Sequence, residues 1–460
     1  MIDEQEMKRR ERVKAELATV NPRLFGHLFG ESPKRILSLD GGGVLGVIEI
    51  AFLERLEAKL RQDKGKPNLV LSDHFDLIGG TSTGAIIATG LALGMTTAQI
   101  RDLYFSLANK IFSKKLVEFD PRKWGQVSYV RGRFSAHPLA MVLKTIVGDR
   151  QLQSADLQTG LAIMAKRVDT ASPWVFYNNP LNKHWDDRQP SRDDPGDRGR
   201  IGNKRYLLRN LIRASTAAPT YFSAQSIDIA EANPDRNFPK PTPGLFVDGG
   251  VSPFNNPALQ LLMLAGVSGY GFDWPIRRDA LSLTSIGTGW WAPTMPYNKA
   301  RRMWQWQLAV HTLKGIIWDN NMLTLTMLQW LSRSEQPWQI DRALRDLGDD
   351  LLAGHLPVDE PLKELVQFVR YDLRYDSKWL HREAGIDIDD DRLEELKQFM
   401  NPAVMPEVTR SRLPMPPAAS RSAMRHARIN RRRRKMCRCR LDGPARAGNK
   451  STSTPGLFRP

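Results

Sequence analysis

The chain has 460 residues, 41% of them hydrophobic and 25% charged, which is the make-up of a soluble globular protein with room for one large α/β domain plus an appendage, or for two domains. No apolar run reaches the roughly 18 residues that a membrane-spanning helix needs. The first twenty residues carry acidic groups early and lack the apolar core of a leader peptide, so a cytoplasmic protein with at most peripheral membrane contact is expected. The net charge of +17 suggests nucleic acid until it is located: residues 401–460 hold 15 Lys or Arg against 2 acids, and the first 400 residues carry only +4.

Residues 1–20 read as an exposed charged helix that Asn21 and Pro22 interrupt, so 1–33 form an N-terminal helical extension. Residues 34–39, RILSL with its flanks, suit a buried strand. They run into DGGG at 40–43 and then into an amphipathic helix ending near residue 62. Residues 75–78 read as a second strand, ending in two glycines, and the small apolar residues of 85–95 suit a helix packed closely on a sheet. Strand, glycine turn, helix and strand make a βαβ-like opening, and the fold expected is α/β with a largely parallel sheet. At 80–84 the pattern GxSxG (Gly80, Thr81, Ser82, Thr83, Gly84) falls between strand and helix. An elbow there strains the serine backbone and lifts its hydroxyl clear of the turn, and glycines flank it because side chains would clash.

Further along, helices are expected over 97–119 and 135–147, strands over 161–167 and 174–177, and a mobile charged loop over 181–204. A helix over 206–215, a second polar loop over 232–244 and a strand over 244–250 ending in VDGG follow. Then come a helix over 258–265 and a strand over 281–286 stopped by GTG. From 300 to 400 the pattern is helical, with Trp304, Trp306, Trp318, Trp330 and Trp338 at apolar spacing. Such aromatics read as core, with a lipid-facing cap as the alternative, and 296–400 are taken as a region packed on or capping the α/β domain that precedes it. The tail, with RRRRK at 431–435, reads as disordered. Its plain role is a solvated basic extension; the sharper one is attraction to anionic lipid or nucleic acid. Cys437 and Cys439 lie in that tail and are too few for a disulfide framework or a zinc site.

Two chemistries compete for the first glycine turn. Gly41, Gly43 and Gly46 satisfy the dinucleotide fingerprint GxGxxG, with Asp73 as a late candidate for the acid that holds the ribose. Both readings use bare amides at a helix start, which bind negative oxygen. Beside a nucleophilic Ser82 those amides make an oxyanion hole, where one donor is worth about 3 kcal/mol of barrier. The serine also needs a base, and Asp248 ends a predicted strand, where active-site acids of parallel sheets stand. To serve, it must be partly desolvated so that its pKa rises; its plain alternative is to cap the DGG turn.

Three motifs in this order, DGGGVLG at 40–46, GTSTG at 80–84 and DGG at 248–250, resemble the patatin-like phospholipase family. ASTAAPTYF at 214–222 and LSLTSIGTG at 281–289 look like two further stretches of it, so the resemblance covers roughly residues 34–290 of a catalytic domain at 34–295. It implies a three-layer α/β/α fold with a largely parallel central sheet. It also implies hydrolysis of phospholipid or other acyl-lipid esters by a Ser/Asp dyad through an acyl-enzyme, with no catalytic histidine, metal or cofactor. Residue by residue it assigns the nucleophile to Ser82, the base to Asp248 and the oxyanion hole to the backbone of Gly41, Gly42 and Gly43. Asp40, Gly46, Gly80, Gly84, Gly249 and Gly250 complete the motifs. Leu45 stands where many members have Arg, so any help from a cation there is absent. Two rival readings remain: a triad of Ser82, Asp248 and His311 in α/β-hydrolase order, and an inert membrane- or nucleic-acid-binding protein, which the basic tail motivates.

Overall fold

The computed structural model describes residues 4–31, 33–112, 136–219, 221–291, 294–332 and 365–396. Helix α1 (Glu4–Val20) is charged and buries no residue, and α2 (Pro22–Phe29) follows at once. Asn21 caps α2: its side-chain oxygen accepts the Leu24 amide at 3.0 Å, and its amide group donates to the carbonyls of Ala155 and Leu157. Pro22 therefore opens the second helix, where a missing N–H is no loss.

Strand β1 (Lys34–Leu39) leads through the glycine turn into α3 (Gly46–Lys64), and β2 (Leu77–Thr81) leads through the serine elbow into α4 (Thr83–Ala92). After α5 (Thr97–Phe112) and α6 (Ala136–Val147) come β3 (Gly160–Arg167), its antiparallel partner β4 (Ser172–Tyr177) and α7 (Leu208–Ser215). The chain continues through β5 (Gln225–Ala230), β6 (Thr242–Asp248), α8 (Ala258–Gly266), β7 (Leu281–Ile286), α9 (Tyr297–Ala300), α10 (Gln305–Trp330) and β8 (Gln367–Tyr371). One eight-stranded sheet runs β5-β6-β3-β2-β1-β7-β8, with β4 paired to β3 off this path. From β3 to β8 the neighbours are parallel, and β4, β5 and β6 are antiparallel additions.

The central strands are apolar on both faces, as strands covered by helices on each side must be. Adjacent glycines of β2 show the two layers. A Cβ on Gly79 would lie 2.4 Å from Leu261 of α8, whereas one on Gly80 would lie 2.2 Å from the Gly84 carbonyl of α4. On the first side α2, α8 and α10 pack on the sheet through Leu28, Leu77, Leu261, Leu328 and Phe368. The result is the three-layer α/β/α arrangement with a largely parallel centre.

Three features depart from the sequence reading. Residues 367–371 are not helical: β8 lies parallel to β7 at the sheet edge, so the 296–400 region contributes to the central sheet itself. β5, unforeseen, closes the opposite edge. The tryptophans also divide, because one face of α10 packs inward and the other does not. Trp318 packs on the core with its ring 5.1 Å from that of Trp290, while Trp304 is 74% exposed. Trp330 is 39% exposed; the side chain of Trp306, all of Trp338, the end of the helix expected to reach 119, and the tail with its cysteines lie outside the described residues. The 181–204 stretch is laced together by the Arg188–Asp197 fork and an Arg188–Arg200 bridge.

Candidate active site

The elbow is built from close approach. Ser82 sits between β2 and α4 at φ 54° and ψ −120°, a region that only a firmly held non-glycine residue occupies. The crossing of β1 and α4 leaves no room at Gly84, where a Cβ would fall 2.6 Å from the carbonyl oxygens of Leu39 and Asp40. What holds Ser82 is a relay to the neighbouring strand: its amide donates to Ser215 Oγ at 2.8 Å, and that hydroxyl donates to the Met164 carbonyl of β3 at 2.6 Å.

Asp248 arrives by a route that a parallel sheet does not offer. β4 occupies one edge of β3, and along the other edge β2 pairs with residues 160–164 and β6 with residues 165–167. β2 and β6 therefore approach each other end to end from opposite directions. Thr81 stands opposite Met164 and Asp248 opposite Ala165, so the two carboxyl ends meet within one residue. The sequence reading placed Asp248 at a carboxyl end, but the strand is antiparallel. Across this junction Ser82 Oγ donates to Asp248 Oδ2 at 2.6 Å. The other oxygen, Oδ1, accepts the Gly250 amide at 2.7 Å, so Asp248 caps its turn and meets the serine at once. Gly249 and Gly250 form the short turn that follows.

Burial pushes the Asp248 carboxyl up to about 6, against the opposing pull of the Ser82 and Gly250 hydrogen bonds and of the Arg213 charge. Arg213, buried on α7, donates to the Ser223 carbonyl at 2.6 Å and lies over the Phe222 ring.

The glycine turn lies beside this pair. Gly41 faces Ser82, since a Cβ on it would come 3.4 Å from Ser82 Cβ. The three amides expected to face an oxyanion differ, however. That of Gly41 is committed to the Asn255 carbonyl at 2.9 Å, and that of Gly42 reaches Thr83 Oγ1 at 3.2 Å. Gly43, at φ 58°, opens the short helical turn Gly43–Leu45, where an N–H has no acceptor within the helix. Asn255 Nδ2 and Thr288 Oγ1 hold the Gly41 carbonyl at 3.3 and 3.4 Å, and the Tyr104 hydroxyl donates to that of Gly43. Gly46 begins α3, and the Asp40 carboxylate is paired with buried Arg370.

The rival arrangements are not assembled. Asp73 ends the turn Leu71–Asp73, where it accepts the Val70 amide and an Arg23 N–H, so it does not end a strand as a ribose-binding acid must. His311 lies on α10, and Ser82 meets Asp248 with no imidazole between them. Among the described residues no group of three or more His, Cys, Asp or Glu could hold a metal ion, and no helix is long and apolar enough to cross a membrane. Ser215 and Thr288 were not singled out from sequence although both lie in quoted stretches, 214–222 and 281–289. Asn255, Arg213 and Arg370 carried no motif that would have marked them.

A cGAMP-activated phospholipase of Vibrio cholerae is 33% identical over 205 residues, 44% of this chain and 52% of that protein. One of the same description from Escherichia coli is 28% identical over 258 residues, 55% of this chain and 62% of that protein. Patatin-like protein 2 of Arabidopsis thaliana is 26% identical over 283 residues, 59% and 62% of the two chains. The chain thus spans between about half and three-fifths of the length of these relatives. The family model of the patatin-like phospholipases matches residues 37–262. That stretch contains the glycine turn, the serine elbow and Asp248, and over it this chain is similar to the patatin-like phospholipase family.

Proposed function

We propose that the protein is a lipid acyl hydrolase that cleaves fatty-acyl esters of phospholipids through an acyl-enzyme on Ser82, with Asp248 as base. The observation that carries this reading is the 2.6 Å hydrogen bond from Ser82 Oγ to a buried carboxylate, made by a serine on a strained elbow. As Oγ bonds to the ester carbonyl carbon, its proton passes to Asp248 Oδ2, and the carbonyl oxygen becomes an oxyanion. The amides of Gly42 and Gly43 receive that charge, the first by releasing the Thr83 hydroxyl, while Gly41 and Asn255 fix the turn. The intermediate collapses by breaking the bond to the alcohol, which leaves with the proton from Asp248. Water then attacks the acyl-enzyme, gives a proton to Asp248, and the fatty acid departs as Ser82 regains its hydrogen. A carboxyl held near 6 is ionised at neutral pH yet more basic than an exposed one, which suits this shuttle.

The test is release of fatty acid from phospholipid vesicles by the full chain, with and without cGAMP, because two relatives are named for that activator. Ser82→Ala and Asp248→Ala should each remove the activity, and parent-like turnover in either refutes the assignment. Full activity in His311→Ala together with loss in Asp248→Ala separates the dyad from a triad.

A further inference from the structure

We propose that Arg370, on β8, is a positioning residue for the oxyanion turn, acting through a two-pronged grip on Asp40; the inference rests on the function proposed above. Three consecutive glycines have no side chains with which to hold themselves, so the geometry of their amides is set by what anchors the flanks. The anchor on the strand side is Asp40. Arg370 Nη1 donates to Asp40 Oδ1 at 3.0 Å and Nη2 to Oδ2 at 2.7 Å, a fork that fixes the plane of the carboxylate as well as its position. The guanidinium is itself seated. Nη1 also donates to Ser285 Oγ at 2.7 Å and Nη2 to Asp372 Oδ2 at 2.5 Å, and Asp372 Oδ1 accepts the amides of Gly289 and Leu373 at 2.8 and 2.9 Å. The Asp40 amide donates to Glu49 Oε1 of α3 at 2.7 Å, so both ends of the residue are held.

Through this cluster β8 holds the turn after β1 and the turn after β7 together, and Thr288 of the latter touches the Gly41 carbonyl. The side chains of Arg370, Asp40 and Asp372 are at most 5% exposed. A buried ion pair is a poor source of net stability, and well-packed apolar side chains often do as well. Its distinctive product is fixed orientation, and an active-site group misplaced by about 1 Å loses on the order of 100-fold in rate. Arg370 lies beyond the family match, which ends at residue 262, so the catalytic turn depends on a strand outside it.

The experiment uses the full chain with a soluble ester, p-nitrophenyl butyrate, and a trifluoromethyl ketone that becomes a tetrahedral oxyanion on Ser82. Arg370→Lys keeps the charge but not the fork, and Asp40→Asn keeps the shape but not the charge. Each should lower kcat by about 10- to 100-fold with KM moved less than about 3-fold, and ketone affinity should fall in step with kcat. Parent kcat per folded molecule in either variant overturns the inference. So does a loss of kcat with ketone affinity unchanged, and so does failure of both variants to fold, which would make the cluster core and nothing more. Inactivity of the parent itself, or activity in Ser82→Ala, would instead sink the proposed function.

Discussion

Asp248 carries a conflict that a spacing pattern does not disclose. A carboxylate at this junction loses its water, and the protein compensates only partly, with the Ser82 hydroxyl, the Gly250 amide and the field of Arg213. Its folded-state pKa near 6 stands above the roughly 3.9 of an unfolded aspartate. The acid form is therefore favoured by folding, so this residue's contribution to stability is complete below about pH 4 and is lost as pH rises through 6. At pH 8 the ionised side chain opposes folding by up to roughly 3 kcal/mol. Asp248→Asn keeps an acceptor for Gly250 and a polar partner for Ser82 without that charge. Its thermal midpoint should exceed the parent's by several degrees at pH 8, and the gain should vanish at pH 4. A variant less stable than the parent at pH 8 would show that burial is not what raises this group. A loss of stability of this kind is a common trade at active sites and accords with the role proposed for Asp248. Ser82 and Asp248 could be named from sequence because each sits in a short motif. Arg213 and Arg370 could not, because an arginine in an apolar stretch reads the same whether it is buried or at the surface.

The legible elements are those whose pattern is decided locally. β1, β2, β3 and β7 are apolar runs bounded by turns, and the serine elbow joins one of them to a helix of small residues. β8 is hidden in the sequence because QFVRY is five residues long, lies in a stretch whose pattern reads as helical, and carries an arginine whose partners come from the turn after β1, from β7 and from the turn after β8 itself. β5, with QSIDIA, is an edge strand whose polar residues belong to the exposed side. The end-to-end meeting of β2 and β6 was equally hidden, since strand pairing is a property of register. That junction makes Ser215 a test of the elbow. Its hydroxyl is the sole link described between the Ser82 amide and the Met164 carbonyl, and it is fully buried. Ser215→Ala leaves both groups without that partner, which should lower stability by about 1–3 kcal/mol in urea unfolding. It should also lower kcat on a soluble ester, because the strained φ of Ser82 loses its tether. A full stability loss with kcat intact would mean that β2 and α4 hold the elbow unaided.

At the scale of the whole molecule, charge is separated along the chain. Residues 1–400 carry +4 and residues 401–460 carry +13 of the total, while the motifs, the elbow and the Arg370 cluster all lie in the first 400. Hydrolysis and surface attraction should therefore be separable. Basic residues near an anionic leaflet contribute roughly 1 kcal/mol each, and the effect fades over about 10 Å at 0.1 M salt. A chain ending at residue 400 should hydrolyse p-nitrophenyl butyrate at the parent rate. It should bind phosphatidylserine-containing vesicles more weakly in sedimentation, and added salt should bring the parent down to the same level. Equal vesicle binding by the two chains at low salt would assign membrane contact to the first 400 residues. Loss of soluble-ester hydrolysis on truncation would instead make the basic segment part of the folded enzyme. If the full chain binds duplex DNA more tightly than it binds the vesicles, the segment's partner is nucleic acid.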